Sequence, residues 1–289
     1  MKIVSRVLLL FCFVLSHWSA FAGQWVDAVG RSVALDAPPQ RIVSLVPSVT
    51  EILFALGAGE KLVGVTDYCN YPAEARQRPQ IGAYAEPNLE AIIAARPDII
   101  FAAADGNRRS FVERLDALGF TTYVTYPKTL DDVVTLVVTL GEVAGHVDTA
   151  NALAEDMRQR IERVRQQSIG KSTPRTLITV MLKPLYVAGT GTMADDLLRI
   201  AGGVNTVPLD GGSYPTWGIE GLLQNDPEVI IVSPHPADTT PDVYFQQWSQ
   251  LQAVQQQRVY SINVDWLHRP SPRVVLGLEA LHRALHGGE

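Results

Sequence analysis

The sequence predicts an α/β protein of two similar lobes with central, mostly parallel sheets. The lobes are joined by one long rigid helix, with a ligand cleft between them. Three observations carry this. Short β-branched runs alternate with helical segments, as parallel sheets require. Residues 88–101 are echoed by residues 218–231, with Glu90 matching Glu220, Pro97 matching Pro227 and Asp98 matching Glu228 at one offset (220 − 90 = 130). Solenoid repeats run about 20–50 residues, so so long an offset marks two lobes. Third, apolar residues from Leu136 to Val164 recur every three or four positions with no proline and no Ser/Gly linker. That spacing is helical and makes a stiff connection.

The elements follow in order. Arg41–Val46 is a strand, and Ser48 with Glu51 forms a capping-box pattern opening a helix that Gly57-Ala58-Gly59 stops. Leu62–Val65 is a second strand. Asn88 caps a helix that Pro97 ends, and a buried strand runs to Ala103. A helix near 107–118 and a strand near 121–124 follow. The spacing then turns helical from Leu130 to Ser168, with Gly141 and Gly145 as candidate breaks. After Pro174 the alternation restarts: strand 175–181, helix 193–200, the repeated helix and strand 219–232, strand 258–262 and a closing helix 272–285. The expected divisions are residues 1–22 as leader, 23–143 and 171–289 as lobes, and 144–170 as the linking helix.

Lys2 and Arg6 precede an apolar run, Val7–Leu15, and Ala20-Phe21-Ala22 offers a small-x-small cleavage site. This is the pattern of a secretory signal peptide, too short to span a bilayer, and it predicts a periplasmic protein. Removing it takes the charge from −6 to (24 − 2) − 30 = −8. Such acidity disfavours nucleic acid and anionic membrane as partners. Cys12 lies in the leader, so the mature chain keeps only Cys69 and no internal disulfide.

No enzyme signature stands out. There is no G-x-S-x-G elbow, and Gly189-Thr190-Gly191-Thr192 lacks the lysine of a phosphate loop. The six histidines show no metal-ligand spacing, although His235 and His268 could meet in the fold. The expectation is no catalytic residue, no metal and no resident cofactor. Aromatic and polar residues instead gather in loops after strands, where open α/β sheets bind ligands. These are Tyr68, Tyr84, Tyr186, Trp217, Asp265, Trp266 and Arg269. Tyrosine and tryptophan offer large flat area with a polar handle, which suits a large, flat, partly polar ligand.

Residues 41–59, the first repeat copy and Trp266–Arg273 resemble the cluster of periplasmic binding proteins that serve ABC importers of cobalamin, haem and siderophores. The resemblance runs from about Arg41 to the C-terminus. It implies two α/β lobes on a rigid helix and a chain that is monomeric when free. It further implies that cobalamin or a related corrinoid such as cobinamide is the transported ligand. Haem or a ferric siderophore on the same scaffold is the alternative, and a periplasmic enzyme a remoter one. Tyr68, Tyr84, Tyr186, Trp217, Trp266 and Arg269, with Asp265 beside them, fall on or near positions that line the cleft in relatives. Glu90 and Glu220 match two surface acids that dock onto arginines of the membrane permease. Ala104-Asp105-Gly106-Asn107 departs from the pattern, because the familiar cobalamin binder carries an aromatic there, and this leaves room for cobinamide. Cys69 stands beside the set, either as bystander or as thiolate ligand of the cobalt. An ordinary thiol pKa near 8.5 favours the bystander.

Overall fold

In the computed structural model, residues 23–234 and 241–287 are described. The leader with its Cys12, and His235, lie outside them. The first lobe opens with a hairpin, β1 (Gly23–Val26) and β2 (Ser32–Leu35). It continues through β3 (Ile42–Ser44), α1 (Pro47–Ala55), β4 (Leu62–Val65), α2 (Leu89–Ala95), β5 (Ile99–Ala103), α3 (Arg109–Ala117) and β6 (Thr122–Thr125). Four of these strands form a parallel sheet in the order β4-β3-β5-β6. Ile42, Val43 and all of β5 are buried, as the apolar runs required for a sheet covered on both faces.

The hairpin was not legible as a pair of strands, and one carboxylate holds it in place. Asp27 accepts from the backbone N–H of Val29 at 3.1 Å and Arg31 at 2.9 Å, and from the Arg31 guanidinium at 2.8 and 2.7 Å. It also takes the N–H of Val124 on β6 at 3.3 Å. Burial alone would push this carboxyl up. The bonds from Arg31 and Val124 and the charge of Arg31 outweigh burial and hold it below the usual aspartate value.

The forty-residue helical spacing resolves into two helices, α4 (Leu130–Ala144) and α5 (Val147–Ser168). The break falls at Gly145, which adopts a left-handed φ of 77° that an L side chain would resist. Gly141 does not break the helix. A Cβ there would lie 2.1 Å from that of Ala150, so this glycine lets α4 and α5 pack closely. Thr129 caps α4 in a capping box with Asp132. At 22 residues, α5 is about 33 Å long.

The second lobe runs β7 (Arg175–Leu182), β8 (Leu185–Val187), α6 (Met193–Ile200), β9 (Val204–Asn205), α7 (Ile219–Asn225), β10 (Val229–Val232), α8 (Pro241–Gln246), α9 (Gln252–Gln255), β11 (Val259–Ser261), α10 (Val264–His268) and α11 (Val274–His286). Its sheet has the order β11-β10-β7-β8, with β9 also beside β7; only β8 is antiparallel. One core cluster extends from the first sheet through α4 and α5 to α6, α11 and one face of the second sheet. Arg160 on α5 grips Glu279 on α11 with two bonds of 2.8 and 2.9 Å. The Leu130 N–H at the start of α4 donates to Asp196 of α6 at 2.9 Å. The connection between the lobes is therefore packed along its length.

The repeat is a structural module in both lobes. Arg41 donates to the Ala95 and Arg96 carbonyls at the end of α2, and Arg175 donates to those of Asn225 and Asp226 at the end of α7. A cation on the last carbonyls of a helix also favours its dipole. In return Asp98 accepts from the backbone N–H of Arg41 at 2.8 Å, and Glu228 from that of Arg175 at 2.7 Å. Even the left-handed residues match, Arg96 at φ 44° and Asp226 at φ 35°.

Asp27→Asn is expected to cost about 1.5–3 kcal/mol at pH 7, the range for hydrogen bonds to a charged group. Because the folded-state pKa is lowered, this stabilisation is complete above the ordinary aspartate value near 3.9 and is lost as pH falls through the folded-state pKa. Denaturant titration at pH 7 and pH 3 checks both, with the gap between variant and wild type shrinking at the lower pH.

Candidate functional site

A cleft of about 370 Å³ opens between the lobes. Its first wall comes from the carboxyl ends of all four strands of the first sheet. Val46, Pro47 and Ser48 follow β3, Tyr68 follows β4, Asp105 follows β5 and Pro127 follows β6. The chain leaves β3 toward β4 on one side and returns as β5 on the other, and this reversal of strand order creates the crevice. The opposite wall is Val264, Asp265, His268, Arg269 and Pro270, in and after α10.

Each wall residue has a local cause. Asn263 caps α10 by accepting the Asp265 N–H at 2.8 Å, which sets the orientation of that short helix. Asn107, only 6% exposed, accepts from the Ala103 N–H at 2.8 Å and donates to the Tyr84 carbonyl at 3.0 Å. It thereby ties the Tyr84 loop to the end of β5. Tyr68 and Tyr84 face each other, ring centroids 6.3 Å apart and tilted by 52°. Burial first, and then the charge of Asp105, push the Tyr84 phenol up to about 12. A Cβ on Gly106 would sit 1.6 Å from the Tyr84 hydroxyl. The departure at 104–107 thus has a physical consequence: the small residue makes room for Tyr84.

Behind the cleft lies a charged ring that sequence reasoning missed. Glu51 on α1 is 3% exposed. It accepts from Arg269 Nη1 at 2.9 Å, and from Arg273 through Nε at 2.8 Å and through Nη2. Asp265 closes the ring, 3.0 Å from Arg269 Nη2 and 3.3 Å from Arg273 Nη2. Asn70 accepts from Arg269 at 2.8 Å, and the Arg273 guanidinium stands 3.8 Å from the centre of the Tyr71 ring. Burial alone would lower Arg273, but the bonds and charge of Glu51 and Asp265 hold it above its ordinary value.

The capping-box expectation for Ser48 and Glu51 is accordingly corrected. The cap position of α1 is Val46, with no side-chain bond, and Pro47 occupies the first turn. Glu51 is drawn instead to two guanidiniums from the opposite lobe. No local sequence signal could distinguish these uses. Cys69 is 2% exposed, takes a bond from Thr50 at 3.1 Å and lies 3.4 Å from the Thr66 hydroxyl; burial pushes its thiol up. That makes it a packed, unreactive thiol.

Of the seven ligand candidates, the structure brings Tyr68, Tyr84, Asp265 and Arg269 to the cleft. Trp217 lines a separate hollow of about 300 Å³ with Leu185, Tyr244 and Trp248. Tyr186 pairs with Thr216, so strand alternation turns it to the face opposite Leu185 and Trp217. Trp266 is half-buried and packs against the main core. Glu90 and Glu220 are exposed in the first turns of α2 and α7. Each of these helices leads into a parallel strand, so its start lies on the strand-carboxyl rim where the cleft opens. His268 bonds Ser233 at 3.1 Å. Among the described residues, no group of three or more His, Cys, Asp or Glu is placed to hold a metal ion, and no helix is long and apolar enough to cross a membrane.

Two α/β lobes on a packed helical connection, with one cleft at their strand ends, define a substrate-binding protein of the rigid-connector type. Residues 42–265 match the family model described as periplasmic binding protein, and the chain belongs to that family. It is 33% identical over 242 residues to the vitamin B12-binding protein of Vibrio cholerae, covering 84% of this chain and 87% of that one. The crystal structure of the periplasmic vitamin B12 binding protein of Vibrio cholerae superposes with a TM-score of 0.79 at 32% identity, over 86% of this chain and 97% of that one. The apo periplasmic haem-binding protein of Roseiflexus sp. RS-1 shares the fold, with a TM-score of 0.76 at 24% identity over 86% and 98%.

Gly106→Ala is expected to displace the Tyr84 ring, since the added Cβ would sit 1.6 Å from its hydroxyl and 2.1 Å from the carbon that bears it. The Tyr84 phenol then returns from about 12 toward the ordinary value near 10. An ultraviolet difference titration of phenolate absorbance between variant and wild type reports the shift.

Proposed function

We propose that the chain is a periplasmic solute-binding protein that captures cobalamin or a related corrinoid and delivers it to an ABC importer. One observation carries the reading: a tyrosine-walled cleft between two lobes, in a chain one third identical over most of its length to vitamin B12-binding proteins. Tyr68 and Tyr84 supply flat apolar area to a macrocycle. Asp265 and Arg269 supply polar groups for its amide side chains, the pattern of few polar contacts in a mostly apolar site. Arg269 donates from Nη1 to Glu51 and Asn70, and its Nη2 lies 3.0 Å from Asp265 in an ion pair.

Residues 1–22 act as the export signal, residues 23–143 and 171–289 as the lobes, and 144–170 as the connection. The continuous core through α4 and α5 supports small lobe movement rather than wide closure, because hinge motion needs residues that absorb backbone rotation. Glu90 and Glu220 serve as docking acids for permease arginines. Both are exposed and neither forms an ion pair among the described residues, so both are available to a partner cation.

Corrinoid titration monitored by tryptophan fluorescence is expected to give a Kd below about 10 μM, or roughly 7 kcal/mol. Purified protein is expected to keep a red corrinoid band after desalting. Weaker binding of both cobalamin and cobinamide, together with a Soret shift on haem addition, would transfer the reading to haem. Reversing both docking acids, Glu90→Arg with Glu220→Arg, is expected to abolish uptake while corrinoid affinity of the purified protein is retained. Loss of affinity in that variant contradicts the separation of docking from binding.

A further inference from the structure

The ring behind the cleft has a feature that lobe contact alone does not explain. It holds two guanidiniums, Arg269 and Arg273, and two carboxylates, Glu51 and Asp265, within bonding distance. Its formal charge is zero. Arg269 faces the cleft, yet its charge is matched by Glu51 from behind and by Asp265 from its own helix. The other charged side chain on the cleft wall, apart from the titratable His268, is the carboxylate of Asp105 opposite. An anion entering this cleft meets no uncompensated cation and one uncompensated anion. A neutral ligand carrying amides meets donors and acceptors and no net field.

We propose that Glu51 is a specificity-determining residue: by neutralising Arg269 and Arg273 from the buried side, it makes the cleft reject anionic ligands such as propionate-bearing porphyrins and carboxylate or hydroxamate iron chelates, and accept electrically neutral macrocycles. This deepens the corrinoid reading and rests on it for the identity of the accepted ligand. The rejection of anions rests only on the charges in the cleft. Glu51 acts through the arginines and is a positioning residue. Its carboxylate is 2% exposed, so nothing but the two guanidiniums and the protein interior screens it. Specificity of this kind is a difference of affinities built partly from repulsion. At such short range and low exposure a single charge outweighs the loss of one neutral contact.

The test uses the full-length mature protein and two probes, ferric haem and dicyanocobinamide, the latter neutral overall. In Glu51→Gln the amide keeps acceptor capacity for one guanidinium while the negative charge is removed. Its affinity for ferric haem is expected to rise at least tenfold over wild type, about 1.4 kcal/mol. That gain is expected to shrink as salt is raised, since it is a charge effect. A merely structural role for Glu51 would lower affinity for both probes and would produce no salt-dependent gain. Because Glu51→Gln could weaken the lobe contact, Asp105→Asn on the opposite wall provides a second measurement that leaves the ring intact. It too is expected to raise haem affinity. Wild-type protein that binds haem as tightly as cobinamide overturns the proposal. So does a folded Glu51→Gln protein, shown by an unchanged thermal transition, with no gain for haem. If wild type binds neither probe, the corrinoid reading fails, while a haem gain in Glu51→Gln still supports the charge gate.

Discussion

A carboxylate withdrawn from water costs several kcal/mol unless cations and hydrogen-bond donors replace the solvent. Glu51 is such a carboxylate, and its replacements come from the other half of the molecule, Arg269 and Arg273. Much of the site follows from this one constraint. The two arginines must approach α1, so the segment between α10 and α11 is drawn against the first lobe. Asp265 and Arg269 then stand across from Tyr68 and Tyr84, and the space left between is the cleft. An isolated surface pair would be worth little. A buried ring that loses one member leaves another charge stranded, so the geometry is held firmly.

The rest of the architecture is consistent with a fixed cleft. The core runs unbroken from the first sheet through α4 and α5 into the second lobe. Asp196 on the first N–H of α4, and Glu279 on Arg160, add polar ties at both ends of that connection. The two copies of the repeat stiffen the lobes separately: in each, an arginine at a strand start closes the helix end, and an acid after the proline returns the bond. Binding in such a molecule depends on a preformed shape more than on closure. Electrostatic selection by charges already in place, rather than by charges brought in by a lid, fits that mechanics.

The family assignment and the site reading have different footing. The match over residues 42–265 and the TM-score of 0.79 over 86% of the chain concern the fold at large. The cleft of this chain is shaped by the Gly106–Tyr84 fit and by Asp105, which forms no ion pair among the described residues. Relatives of the same fold carry haem in their names, so the scaffold alone does not choose the ligand.

The alternation of apolar strands and helices, the repeat and the helical spacing from Leu130 to Ser168 were all written locally in the chain, because hydrophobic periodicity and Gly/Pro punctuation act over a few residues. They predicted the α/β class, two lobes, most strand positions to within a residue or two and the loops that carry Tyr68, Tyr84, Asp265 and Arg269. The tertiary structure decided what depends on residues far apart. It turned Glu51 from helix cap to lobe clamp, because its partners lie 218 and 222 positions away. It divided the long helix at Gly145, where a left-handed turn lets α5 fold back on α4. It sent Trp217 to a hollow apart from the interlobe cleft, because alternation along a short pairing segment decides the face and no composition reveals which face the cleft occupies.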